Sequence, residues 1–294
     1  MRTHVMSNFG RLSALILVIG LLVAGAMLAA RPGYGLAPGQ TVTLAPHRAV
    51  YEMKLGDSRA NSNVSGIVGR MVFELSGTPC EGYTVNMRLV TRVTDRSGKA
   101  LMSDLRSSTW EEGDGEKFRF NSSQYLNQKL SELASGSAKR AGQGKKVDVQ
   151  LQKPKSLKLA LPADVMFPAQ HARAILDAAL NGRTTLEADL YEGSEKGEKV
   201  HATTAFIGRL MPPGSDKNLK DVKNAEILDK LKSWPVSVGY YEKENSEEAT
   251  PSYEVAYRYY ANGVSRRLVI DYGDFSIHGS LQSLELLEEP NCER

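Results

Sequence analysis

The sequence predicts an all-β, mainly antiparallel fold, in which one long sheet of about 12–14 strands curls into a β-spiral or incomplete barrel. Three observations predict it. Beyond residue 37 the chain is dominated by period-two alternation of apolar and polar residues, rich in β-branched and aromatic types. Short Gly-, Pro-, Asn- and Asp-containing segments join these runs, as hairpins require. One segment alone carries a convincing helical pattern, so strands are not separated by the crossover helices that parallel pairing needs. A sheet this long does not stay open and flat, and curling also disposes of exposed edges.

The N-terminus reads "MRTHVMSNFGRLSALILVIGLLVAGAMLAARPGYG". Arg2 and Arg11 precede an uncharged run from Leu12 to Ala30, the pattern of a secretory signal. Ala24-Gly25-Ala26 and Gly35-Leu36-Ala37 both offer small residues for cleavage, and the run is also near the length of an uncleaved anchor. Residues 1–37 are therefore expected to be a signal peptide or anchor plus a short linker, and 38–294 one exported β domain. Membrane contact is expected only through the first segment, if it is retained.

The strand series opens with "HRAVYEMKL" (47–55), "NVSGIVGRMVFEL" (63–75), "YTVNMRLVTRVTD" (83–95) and "ALMSDLRSSTWEE" (100–112). "KFRFNSSQYLN", "SELASGSAKRAG", "KVDVQL" and "SLKLAL" continue it. The helix is "FPAQHARAILDAALNG" (167–182): Ala172, Ile175, Leu176, Ala179 and Leu180 share one face, Pro168 suits a first turn, and Asn181-Gly182 is a natural stop. The β pattern resumes in "TTLEADLY", "KVHATTAFIGRL" and "PVSVGYYEK", and ends in "SYEVAYRYY", "SRRLVIDY" and "SIHGSLQSLEL". Asn262-Gly263 is the strongest hairpin signal in the chain. A weaker helical pattern covers 218–233. No Pro/Gly-rich linker lies near residue 165, which favours one continuous sheet over two sandwiches.

Chemistry is sparse. A net charge of +3 argues against a nucleic-acid partner, and "KRAGQGKK" (139–146) reads as a solvated hairpin tip. "LGDSRANSN" (55–63) contains Gly-Asp-Ser, as in one esterase family, and "DFSIH" (274–278) offers Asp274 and His278. The spacing is one residue too long, Arg59 replaces an aliphatic residue, and the helices that fold needs are missing. Ser58 therefore reads as a loop hydroxyl. His47, His171, His201 and His278 show no metal-ligand spacing, and His171 reads as a solvated or hydrogen-bonded group facing away from Ile175 and Leu176. Glu111/Glu112 and Glu247/Glu248 read as solubilising turn charge. Tyr240, Tyr241, Tyr253, Tyr257, Tyr259 and Tyr260 read as sheet packing, with sugar stacking the alternative. The two cysteines of an exported chain, Cys80 and Cys292, either pair or remain free or intermolecular thiols.

"LAPHRAVYEMKL", "SGTPCEGY", "LPADVMFPAQH", "SWPVSVGYYE" and the final Cys292, in this order, resemble the EipB-like proteins of alphaproteobacteria. The resemblance implies a periplasmic broken or spiral β-barrel that serves cell-envelope integrity. It implies a disulfide between Cys80 and Cys292, tying an early hairpin to the C-terminus. It brings no catalytic residue, metal or cofactor. The resulting expectation is a non-enzymatic protein whose curled sheet binds an envelope protein or a lipid or glycan ligand. A lipid or lipoprotein carrier is the alternative: an open apolar lumen favours it, whereas a lumen filled by side chains favours a binding module. The sequence assigns no oligomeric state.

Overall fold

The computed structural model describes residues 42–142, 144–242 and 250–289. The N-terminal segment 1–37, the Glu247/Glu248 pair and Cys292 lie outside them.

Among the described residues, fourteen strands form one sheet. The first eight are β1 (His47–Ser58), β2 (Val64–Thr78), β3 (Gly82–Asp95), β4 (Ala100–Glu111), β5 (Lys117–Leu126), β6 (Lys129–Arg140), β7 (Val147–Lys153) and β8 (Leu157–Leu161). After helix α1 (Pro168–Leu180) come β9 (Thr185–Leu190), β10 (His201–Ile207), β11 (Ser233–Glu242), β12 (Tyr253–Tyr260), β13 (Ser265–Asp271) and β14 (Phe275–Leu286). The spatial order is β8-β7-β6-β5-β4-β3-β2-β1-β14-β13-β12-β11-β10-β9. Two antiparallel meanders thus join back to back where β14 pairs with β1, Met53 opposite Gly279. Alternation places the strands: in β1, His47, Ala49, Tyr51 and Met53 are buried while Arg48, Glu52 and Lys54 are exposed.

The sheet does not close, yet its two ends approach each other. Just beyond β8, the Met166 N–H donates to Asp189 O at 2.7 Å, and Tyr191 N–H donates to Met166 O at 2.9 Å. This parallel bridge pairs part of the β9 edge that would otherwise be free. Phe118, Phe120, Phe167 and Tyr191 fill the seam, with the Phe118 and Phe167 rings stacked at 4.9 Å.

Helix α1 plugs the sheet. Ile175, Leu176, Ala178 and Ala179 pack with Leu75, Tyr83, Ala205, Ile207, Trp234, Val236 and Tyr259. Leu180 is exposed, because its place in the stripe falls at the helix end. The expected helix over 218–233 is reduced to a 3₁₀ turn, Leu219–Asp221, and one turn of helix, α2 (Glu226–Asp229). Asn224 between them has φ 59, which no continuous α-helix accepts. The segment joining β10 to β11 instead lays Leu219, Val222, Ala225 and Leu228 against Ala49, Tyr51, Met53, Leu281 and Leu284. Lys223 N–H anchors it on Gln282 O at 3.0 Å. Side chains from α1 and from this excursion therefore fill the enclosed face. Met71 and Leu75, on one face of β2, each touch one of the two fillings.

Candidate functional site: a groove ending in an arginine cluster

The chain places an apolar groove on the face of β9–β13 opposite α1. Ile207 and Val236 point toward the helix, so Phe206 and Ser237 point the other way. Register carries that row across the sheet: Thr185 faces Phe206, Phe206 faces Ser237, Ser237 faces Ala256, and Ala256 faces Val269. Met211, Pro235, Ala256 and Tyr257 help line a groove of about 670 Å³, with Phe206 54% exposed beside it. An adjoining hollow of about 400 Å³ includes Leu180, Leu210 and Trp234, with Arg183, Arg209 and Lys232 around it.

Arg258 and Arg267 close one end of the groove. A register shift between Ala256 and Arg258 gives β13 an extra residue there, and Arg267 takes φ 57. Such bulges re-aim side chains, and a non-glycine residue in the left-handed region stores strain. Asp216, from the excursion, sits among three guanidinium groups. Its Oδ2 accepts from Arg266 and, at 2.9 Å, from the Tyr260 hydroxyl, with Arg258 Nη1 at 3.3 Å; its Oδ1 accepts from Arg267 Nη2 at 2.8 Å. Burial alone would raise the Asp216 pKa, but the bonds from Arg266 and Tyr260 and the charges of Arg266 and Arg258 hold it down to about 2. Arg258 spends its remaining donors on Ser233 Oγ and Ser215 Oγ, and Arg266 on Asn218 O. Both are buried, whereas the Arg267 side chain is 54% exposed.

A row of carboxylates flanks the other side of the apolar floor. Glu187, Glu254 and Asp271 lie in successive register across Thr204 and Gly239, two positions from Phe206 and Ala256. Glu254 accepts the Ser237 hydroxyl at 2.5 Å. The groove is thus apolar in the middle, acidic along one side and cationic along the other.

The sequence-predicted residues fall elsewhere. Ser58 donates its hydroxyl to Val64 O at 2.8 Å. His278 Nε2 lies 3.4 Å from Ser276 Oγ, and its backbone faces Lys54 rather than Ser58. No group of three or more metal-ligating side chains occurs among the described residues. Cys80 sits in the turn between β2 and β3, where Gly77 (φ 93) must stay bare because a Cβ would lie 2.0 Å from Gly82 O. His171 is not a solvated group: it is buried, its Nε2 lies 3.0 Å from Thr203 Oγ1, and burial lowers its pKa to about 4. It is hydrogen-bonded, but it does not face away from Ile175: four residues apart, the two share the buried face of the helix, and His171 meets β10 there. Glu111 is no turn charge either. It is buried and accepts the Ala169 and Gln170 N–H groups, each at 2.7 Å, so β4 caps the helix whose own N-cap residue, Phe167, has no side-chain acceptor. Burial pushes its carboxyl up to about 7, against those two bonds and the charges of Arg173 and Arg140. Arg140, expected on a solvated tip, instead donates to Ala163 O and Val165 O and lies over the Phe167 ring.

Fold and site together define an unclosed, barrel-like antiparallel β-protein with a plugging helix and an outward groove. The solved structure of a beta-barrel-like protein of a domain of unknown function from Brucella abortus superposes with a TM-score of 0.77. It is 34% identical and covers 84% of this chain and 100% of its own. The cell envelope integrity protein EipB of Brucella abortus (strain 2308) is 35% identical over 247 residues, 84% of this chain and 86% of that relative. The EipB-like family model matches residues 38–288, and the chain belongs to that family. The match supports a role in envelope integrity and an envelope location.

Proposed function

We propose that this chain is an exported, non-enzymatic protein of the periplasm that supports envelope integrity by receiving an envelope ligand or protein partner in the groove across β9–β13. One observation carries the reading: a solvent-open apolar groove with a cationic end, on a member of an envelope-integrity family. Monomeric soluble proteins rarely leave contiguous apolar surface open without a use for it. The commitment of the Ser58 hydroxyl to Val64 O supports a non-enzymatic role. Export by residues 1–37 is part of the proposal, and so is a disulfide from Cys80 to Cys292. One contact favours that clasp: Leu287 N–H donates to Pro46 O at 2.9 Å, holding the strand that leads toward Cys292 beside the start of β1.

The test is genetic replacement. Deletion in the source bacterium should sensitise cells to envelope stress, and the wild-type chain should restore them. Ala256→Phe, which fills the groove, should not, while accumulating in the periplasmic fraction at the wild-type level. Full rescue by Ala256→Phe would refute the groove as the working surface. For the clasp, non-reducing mass measurement should show two hydrogens missing, and Cys80→Ser should lower stability by up to about 5 kcal/mol on the chain-entropy account.

A second reading is a lipid or lipoprotein carrier. The side chains of α1 fill the enclosed face, so the apolar groove, not a lumen, is what favours it. Native mass spectrometry of protein purified from the periplasm decides: a copurified lipid supports the carrier, and a bare mass with a crosslinked protein partner removes it.

A further inference from the structure

We propose that the groove holds an anionic single-chain amphiphile, its apolar chain along Phe206, Met211, Pro235 and Ala256 and its anionic head on the Arg267 guanidinium. The inference rests on the reading that this groove is the binding surface, and it names the chemistry of the occupant.

Geometry and charge both select that chemistry. The floor crosses five strands, from Thr185 on β9 to Val269 on β13. Four interstrand spacings make it about 19 Å long, suited to an extended chain rather than a compact solute. Its middle row offers Phe206, Ala256 and the Ser237 hydroxyl, and the last is already spent on Glu254. The middle therefore rewards apolar contact and little else.

The two flanks differ in sign, and the cations gather at the β13 end. Three arginines share one carboxylate at Asp216, leaving an excess of two positive charges. Arg258 and Arg266 are buried and donate to Ser233, Ser215 and Asn218, so they are not free to meet a ligand. Among the described residues Arg267 bonds through Nη2 to Asp216, and its side chain is 54% exposed, with five donors in all. Asp216 holds that guanidinium in place, while the bulge and the positive φ turn it to the mouth of the groove. The carboxylates of Glu187, Glu254 and Asp271 run alongside the floor from β9 to β13, so they disfavour an anionic head along that flank and leave the Arg267 corner as its place. A neutral head would leave the exposed Arg267 guanidinium unanswered, and a cationic head would be repelled at that end and drawn instead to the carboxylate flank.

The experiment is isothermal titration of the mature full chain with dodecyl phosphate, dodecyl maltoside and inorganic phosphate, each below any micelle concentration. Dodecyl phosphate should bind one to one, tighter than the maltoside, and inorganic phosphate should not bind detectably. Each methylene removed from the chain should weaken binding by up to about fourfold. Arg267→Gln should weaken dodecyl phosphate about tenfold and leave the maltoside unchanged. Arg267→Gly should do the same while relaxing the backbone, so a misfolded variant cannot account for the loss. Ala256→Phe should abolish binding of both chains with the thermal transition preserved. Equal binding of the phosphate and the maltoside, indifference to both Arg267 variants, or binding that survives Ala256→Phe would each overturn the proposal. Two failures remain distinguishable. If Ala256→Phe cripples cells but dodecyl phosphate does not bind, the groove stands and the ligand chemistry falls. If dodecyl phosphate binds through Arg267 but Ala256→Phe cells are healthy, the chemistry stands and the cellular reading falls.

Discussion

Two charge clusters sit at opposite ends of the same strands with inverted stoichiometry. At one end of β12, three arginines surround Asp216. At the start of β10, three carboxylates, Glu192, Glu195 and Glu242, gather around Lys199 and the buried ring of His201. Lys199 Nζ lies 2.7 Å from Glu195 Oε2 and 3.0 Å from Glu242 Oε1, and it is partly exposed. Both ring nitrogens of His201 lack a hydrogen bond among the described residues, although Glu195 Oε1 is 3.5 Å away. Burial raises the Glu192 and Glu195 pKa values and lowers that of His201, so these groups tend to neutrality, while the Asp216 carboxylate stays ionised. The lesson is that a buried charge persists when several donors and cations converge on it, as at Asp216. It yields to desolvation when its one cation is shared with another carboxylate, as at Glu195, or when it has no hydrogen-bond partner among the described residues, as at His201. The first end is a permanent electrostatic fixture; the second responds to pH.

The largest expected effect tests the fixture. Asp216→Asn leaves Arg258 and Arg266 buried without an anion and should cost about 3–5 kcal/mol in urea unfolding. A loss below about 1 kcal/mol would mean that water reaches the guanidinium groups and that the contrast between the two ends is false. A smaller effect is expected at Glu111, a buried acid balanced by helix N–H groups instead of cations. Glu111→Ala should cost about 1–2 kcal/mol, the scale of a lost helix cap. Because the folded pKa is raised to about 7, the stabilisation by Glu111 is complete below about pH 4.5 and is lost as pH rises through 7. The Ala variant should therefore lose more at pH 5 than at pH 8, read from thermal transitions at both values.

The architecture is legible in the sequence because period-two alternation and turn residues are local signals. "YANGVS" forms its hairpin at Gly263 (φ 86), and Pro168 and Asn181 bound α1 as the pattern expects. Of the tyrosines read as sheet packing, Tyr240 and Tyr253 stack across neighbouring strands with rings 4.4 Å apart. What the sequence hides is partnership across distance. Glu111 looks like a turn charge until β4 meets the start of α1, and Arg140 looks solvated until its strand end reaches Ala163. The groove is equally silent, because Phe206, Ser237, Ala256 and Arg267 come from four strands and converge only through register and a bulge. The helical pattern of 218–233 misleads for the opposite reason: its apolar residues are real core residues, recruited by β1 and β14 instead of by a helix.

The acid-rich end gives the finest test, because its groups pull stability in opposite directions. His201 has a lowered pKa, so its contribution is present above about pH 6.5 and is lost as pH falls. Glu192 and Glu195 have raised values, so theirs is present below about pH 4.5 and is lost as pH rises. Between those limits the wild-type slopes partly cancel. Removing one side should expose the other. His201→Phe, which keeps the ring against Tyr240 and Tyr253, should make stability fall with pH across that window. Glu195→Gln should tilt the curve upward instead, and at pH 8 it should cost no more than about 1 kcal/mol, since it removes a poorly balanced carboxylate. Parallel curves for the two variants would show that Lys199 and solvent already balance this end. Asp216 and Glu195 would then be two versions of one ordinary ion pair.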